Sequence, residues 1–307
     1  MATMHSTMPG AELHLHLEGS IDAPTLIELD PAVTPEEVAR RYSYRDFPQF
    51  IESYLWVIER LRRPEDYALA TRRLLERLER EGTRYAEITL SAAVITWRGQ
   101  DLDATFEAIR AEREGSPVEA HWIMDSVRQW GAECAQRTAE TAAKYAGKGV
   151  IGFGIGGNEQ LGPVEWFAGV FRYARDHGLR LAIHAGEIAG PESVRSAVRV
   201  GAARIGHGIR AVDDPELLAE LRERRIPLEI CISSNIATGA VARLEAHPVR
   251  RIFEAGVPVV LGTDDPAMFH TSLAREFELA RSRFGFTEEE LHGIARNAWE
   301  YRFSRDG

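Results

Sequence analysis

Cysteine is almost absent from this sequence: among 307 residues only Cys134 and Cys231 occur, far apart and without metal-type spacing. That excludes a disulfide framework and points to a reducing, cytoplasmic setting. No apolar run approaches the roughly 20 residues of a membrane-spanning helix. The opening MATMHSTMPG lacks the apolar stretch of a signal peptide, so residues 1–10 read as a short disordered leader before a single domain over residues 11–307. No basic tract offsets the formal net charge of −10, and phosphate-backbone binding needs clustered Lys and Arg. Nucleic acid and membrane are therefore not expected partners. A small molecule is, and a homodimer is compatible with a sequence that fixes no oligomeric state. No repeat, low-complexity stretch or Pro/Gly/Ser linker divides the chain.

What recurs is a short apolar run followed by an amphipathic stretch. The runs are AELHLHL (11–17), RYAEITL (84–90), VEAHWIM (118–124), VIGFGIG (150–156), LRLAIHA (179–185), ARIGHG (203–208), PLEICIS (227–233) and VPVVLGT (257–263). The segments between them carry helix signals, such as PEDYALATRRLLERLEREG ending at Gly82, and PVEWFAGVFRYARDHG opening on Pro163 and ending at Gly178. Eight strands alternating with helices predict an α/β chain closed as a (β/α)₈ TIM barrel. A doubly wound open sheet is the second choice, weakened because no G-x-G-x-x-G follows the first strand. The aromatic-rich helical stretch YSYRDFPQFIESYLWVIERL (42–61) follows strand 1. It predicts an additional lid over the barrel mouth, the face where barrel active sites form.

That mouth collects polar residues. In ELHLHLEGS, His14 and His16 stand two apart and so share one face of a strand. His184 and Glu187 lie in HAGE, His207 in IGHG, and Asp264 and Asp265 in GTDDP, all at predicted strand ends. One strand-end histidine or aspartate is commonplace. Four histidines and three acids converging without a partner would destabilise the fold, and a divalent cation resolves this. Imidazole with carboxylate suits zinc, and iron or manganese less strongly. Neither cysteine joins the set, which favours a catalytic site over a closed structural one. Such a metal lowers the pKa of a bound water to about 7.

In ELHLHLEGS, GIGGNE, HAGE, RIGHG, CISSN and LGTDDPAMF, in that order, the chain resembles the adenosine deaminase family of the amidohydrolase superfamily from about residue 11 to 303. The resemblance implies zinc held by His14, His16, His184 and Asp264. It implies Glu187 as proton donor to purine N1, and His207 orienting the nucleophilic water and accepting its proton. Asp265 would hydrogen-bond N7, and the Gly157 backbone N–H would meet N3. Hydrolytic deamination of a 6-aminopurine nucleoside is the activity implied.

Departures from the family pattern bear on the substrate. HLEG replaces the usual HLDG, and Glu18 sits where the 5′ side of the ribose is served. GIGGNE replaces DLAGDE, with Gly154 and Asn158 in place of acids, and residues 20–40 look trimmed. Similar bacterial members act on aminodeoxyfutalosine, a menaquinone-pathway intermediate with an aryl carboxylate beyond its 5′ carbon. Arg128, just past strand 3, is placed to pair with that carboxylate. His16, Glu18, Gly157, Asp265 and Arg128 would then border the substrate. Deamination of adenosine or adenine in purine salvage is the alternative, with another amidohydrolase-type metal hydrolase behind it. No C-x-x-C is present, which excludes the other zinc deaminase class.

Overall fold

A computed structural model describes residues 10–304; apart from Gly10, the expected leader lies outside the described residues. Among the described residues, eight parallel strands form a barrel in sequential order. They are β1 (Gly10–His16), β2 (Thr83–Leu90), β3 (Glu119–Val127), β4 (Val150–Gly156), β5 (Arg180–Ala185), β6 (Arg204–His207), β7 (Leu228–Ile230) and β8 (Val259–Leu261). The ring closes past the end of β8. There the His16 N–H donates to the Asp264 carbonyl at 2.7 Å, and the Asp264 N–H donates to the His14 carbonyl at 2.9 Å. The strands read as nearly unbroken apolar runs because helices cover the outside while side chains fill the inside. All seven residues of β1 are buried, its histidines included. No helix among the described residues is long and apolar enough to cross a membrane.

The long excursion between β1 and β2 holds four helices: α1 (Ala23–Leu29), α2 (Pro35–Arg41), α3 (Phe47–Ile58) and α4 (Pro64–Arg80). Local chemistry starts each of the first three. Asp22, Thr34 and Asp46 cap backbone N–H groups three residues on, and each helix has Pro in its first two positions. Helix α3 is the expected lid. Its buried Phe50, Trp56 and Val57 hold it to the body, each contributing about 1.5–3 kcal/mol by burial. Just before it, the Tyr44 hydroxyl donates to the Met268 carbonyl at 2.6 Å, which ties the lid to the loop after β8.

Candidate active site

The seven polar side chains expected at the barrel mouth meet there. The ring centroids of His14 and His16 are 5.6 Å apart, those of His14 and His184 4.8 Å, and those of His14 and His207 5.2 Å. Asp264 reaches into this group: its Oδ1 lies 3.4 Å from His14 Nε2 and 3.3 Å from His16 Nε2. Ligand atoms of His14, His184, His207 and Asp264 all lie within 4.8 Å of one another. That set includes His207 and not the expected ligand His16, whose Nε2 approaches Asp264 instead. His207 and Asp264 both have positive φ, 60° and 63°. Non-glycine residues in this region cost of order 1–3 kcal/mol each and concentrate at functional sites. Two glycines make the convergence sterically possible. A Cβ on Gly206 would come within 2.8 Å of the His14 ring, and one on Gly19 within 1.7 Å of Asp265 Oδ1.

The donor set fits a divalent cation. Burial lowers His16 to about 4, and it also lowers His184, with the neighbouring His14 adding to both effects, which favours the neutral rings that a metal would need. Burial would lower His14 too, but the adjacent carboxylates of Asp264 and Glu229 overcome this and lift it to about 10. The His14 Nε2 is buried and has no hydrogen-bond partner. Its other nitrogen, Nδ1, is 2.8 Å from Glu229 Oε2, the carboxylate–histidine pairing that orients metal-binding imidazoles. Glu229 is held at about 2: burial would raise it, but Arg204 and His14 more than compensate. Arg204 in turn bridges Glu229 and Glu87, and its guanidinium lies 3.5 Å from the centroid of the Phe303 ring.

Other supporting groups come from residues that the sequence reading passed over. Ser234 Oγ donates to Asp264 Oδ2 at 2.6 Å. Asn235 Nδ2 lies 3.1 Å from His207 Nδ1, and Asn235 Oδ1 lies 3.1 Å from His247 Nε2. The carboxylate of Glu159 accepts the backbone N–H groups of Gly186, Glu187, Ile188 and Ala189 and the Ser193 hydroxyl, at 2.6–3.0 Å. Burial would raise Glu159, but these donors and Arg128 hold it below the ordinary carboxylate range. Glu159 and Asn235 lie inside the GIGGNE and CISSN motifs, and Glu87, Arg204 and Glu229 are lone charges in apolar strand runs; those were the available signals.

Above the cluster lies a cavity of about 510 Å³. His16, His184, Glu187, His207, Asp264 and Asp265 form its floor, Gly156, Gly157, Gln129 and Trp130 one wall, and Phe47, Phe50, Ile51, Tyr54 and Leu55 of α3 its roof. Glu187 is buried, with Oε2 3.7 Å from His207 Nε2, and burial raises its pKa. Burial and the adjacent Asp264 raise Asp265 well above the usual carboxylate range. Asp125, from the end of β3, also lines the cavity; burial pushes it up to about 8, and its Oδ1 has no partner.

Two expected substrate contacts are corrected. Arg128 does not face the cavity. A 3₁₀ turn, Arg128–Trp130, folds it inward, 1% exposed, where it donates to the carbonyls of Gly162 (3.0 Å) and His184. Gln129 and Trp130 take the wall instead. Glu18 is also fully buried, in the 3₁₀ turn Glu18–Ser20. Its carboxylate accepts the Ser91 N–H at 3.0 Å and the Tyr54 hydroxyl at 3.3 Å. It braces the lid against the end of β2, and Tyr54 and Ser91 are the residues that meet the cavity.

Comparison with known proteins agrees with this geometry. The adenosine deaminase family model matches residues 9–306. The chain is 40% identical to an adenine deaminase of Rhizobium rhizogenes, over 98% of this chain and 96% of that one. It is also 40% identical to an aminodeoxyfutalosine deaminase of Streptomyces avermitilis, over 96% of this chain and 87% of that one. Among solved structures, an adenine deaminase from Arthrobacter aurescens superposes with a TM-score of 0.88 at 28% identity, covering 97% of this chain and 94% of that one.

Proposed function

The chain belongs to the adenosine deaminase family, and on that premise we propose that it is a zinc-dependent cytoplasmic aminohydrolase acting on aminodeoxyfutalosine, a step of menaquinone biosynthesis. The family's enzymes are hydrolytic deaminases of adenine or adenosine-like purines. The observation that carries the finer reading is the cavity. Its polar groups are concentrated on the floor, where a purine ring fits, and the space beyond is walled by aromatic and aliphatic side chains from α3 together with Val94, Trp97 and Trp130. A bare base would leave that outer chamber unfilled, whereas a 5′-extended nucleoside with an aryl group would cover it. With Arg128 turned away, Arg98 is the arginine that lines the chamber; its Nη1 donates to the carbonyls of Ile58 and Leu61, and its other N–H groups are assigned to the aryl carboxylate.

His14, His16, His184 and Asp264 would hold the zinc ion. When bound, the metal supplies the Lewis acidity that makes hydroxide available near neutral pH. The protein's own groups do the rest. Glu187, raised by burial, carries a proton to ring N1, without which an aromatic C6 is a poor electrophile. Asp265 donates to N7, and the Gly157 N–H meets N3. The α3 roof excludes bulk water and fixes the ring over the floor.

A second reading, adenine as substrate, is favoured by two observations: identity to the Rhizobium rhizogenes enzyme equals that to the Streptomyces one, and the superposed Arthrobacter aurescens structure is of an adenine deaminase. Ammonia release from aminodeoxyfutalosine, adenosine and adenine, compared as kcat/KM, separates them. The proposal expects aminodeoxyfutalosine to be preferred by at least an order of magnitude. Preference for adenine or adenosine would reject it.

A further inference from the structure

The buried polar atoms behind His207 form a one-way chain. The backbone N–H of Val249 donates to His247 Nδ1 at 3.2 Å. A backbone amide has no other role to play, so His247 Nδ1 carries a lone pair and its hydrogen sits on Nε2. That hydrogen points at Asn235 Oδ1, 3.1 Å away. The other end of the same amide, Nδ2, is a donor, and it lies 3.1 Å from His207 Nδ1. His207 Nδ1 must therefore accept, which leaves its ring hydrogen on Nε2, facing Glu187 and Asp264 at 3.7 and 3.9 Å.

Reversing the chain is blocked at each link. A flipped Asn235 amide would set its NH₂ against the Nε2 hydrogen of His247. Moving that hydrogen to Nδ1 would set it against the Val249 N–H. His207, Asn235 and His247 are 1%, 0% and 4% exposed, so bulk water cannot supply replacement partners. The backbone of Asn235 is fixed as well, its N–H donating to the Cys231 carbonyl at 3.0 Å and its carbonyl accepting from Val241 at 2.8 Å.

From this we infer that His247 and Asn235 are positioning residues that lock His207 as a hydrogen-bond donor through Nε2, so that His207 neither ligates the metal nor takes the proton of the nucleophilic water. The metal set is then His14, His16, His184 and Asp264, and on this inference His207 does not accept the proton it was expected to take. The acceptor that remains beside His207 is the carboxylate of Glu187. One O–H bond of the water breaks as its proton passes to Glu187, and Glu187 delivers that proton to N1 as the oxygen–C6 bond forms. The second water proton then reaches the amino nitrogen, and the C6–N bond breaks. One water is consumed and one ammonia leaves. His207 aims and stabilises the oxygen throughout.

The inference rests on the deaminase reading, but its first test needs no turnover. Long-range proton–nitrogen correlation spectra of the full chain with ¹⁵N-labelled histidine, with and without zinc, report which ring nitrogen carries hydrogen; His207→Asn assigns the signals. We expect hydrogen on Nε2 and a bare Nδ1 for both His207 and His247. Hydrogen on Nδ1 of His207 overturns the inference and leaves the deaminase reading intact, whereas a failure to release ammonia from any 6-aminopurine defeats that reading and not the tautomer. Asn235→Asp supplies the functional arm. Its carboxylate accepts from both rings and so forces hydrogen onto His207 Nδ1. We expect kcat to fall about 10–100-fold with KM and zinc content held. An unchanged or higher kcat overturns the inference, because a basic His207 would gain from a carboxylate partner.

Discussion

Replacing Glu159 by Gln tests how the site is held together. One oxygen of Glu159 accepts from Glu187, Ile188 and Ala189, and the other accepts from Gly186 and Ser193. A glutamine keeps one of these oxygens. Its least damaging placement sets the NH₂ toward Gly186 and Ser193. The serine hydroxyl can rotate to accept, but the Gly186 N–H is left buried against a donor, at about 1–3 kcal/mol. The three remaining bonds lose their charge-assisted character, roughly half their strength. Together these give a destabilisation of about 3–5 kcal/mol, and a melting temperature lower by roughly 10 °C. Because the four amides belong to the segment that carries Glu187, kcat should also fall about 10–100-fold. The pH dependence follows from the direction of the shift. Glu159 is depressed in the fold below its ordinary value of 4.5, so its contribution is present above that value and is lost as pH falls through the depressed one. The gap between wild type and variant should therefore be full at pH 7 and narrow below about 4.5. Equilibrium urea unfolding followed by tryptophan fluorescence, with ammonia-release kinetics, reads all three. A stability change below about 1 kcal/mol with normal turnover would refute the reasoning.

Further outcomes follow from the same geometry. His16→Ala should lose both zinc, measured by plasma emission, and activity; retention of stoichiometric metal with full turnover would remove it from the ligand set. Glu187→Gln should keep zinc and fold yet lose about 10²–10⁴ in kcat. Arg128→Met should depress kcat/KM for adenosine and aminodeoxyfutalosine alike and lower the melting temperature, since Arg128 holds the carbonyls of Gly162 and His184; a selective loss on the aryl carboxylate substrate would restore it as the anchor. Arg98→Met, by contrast, should lower kcat/KM for aminodeoxyfutalosine by one to two powers of ten more than for adenosine if a charge-assisted hydrogen bond of about 1.5–3 kcal/mol is lost, a loss shared by both substrates reporting its bonds to the carbonyls of Ile58 and Leu61.

The strand-end chemistry was legible in the sequence because barrel geometry turns a list of strand ends into a neighbourhood. His14, His16, His184, His207, Asp264 and Asp265 needed only the positions of their strands. The lid was legible in the same way, from aromatic content placed on the first βα loop. Arg128 and Glu18 were misread for a common reason. Each follows its strand in a 3₁₀ turn, where the alternation that assigns faces no longer holds, and both side chains turn into the wall. The supporting shell was the least legible part. Glu229 reaches His14 from a residue 215 positions away, and Glu159 serves a segment 27–30 positions on. Such partnerships depend on which loops fold over which strand ends. A lone charge inside an apolar strand marks that a partner exists without naming it.

The central claim is that this convergence is a single metal-dependent deaminase centre, and titrating metal-free protein with zinc while following ammonia release from aminodeoxyfutalosine tests it most directly. Activity should rise linearly and break at one zinc per chain. Turnover that needs no metal, or that never appears however much zinc is added, would contradict it.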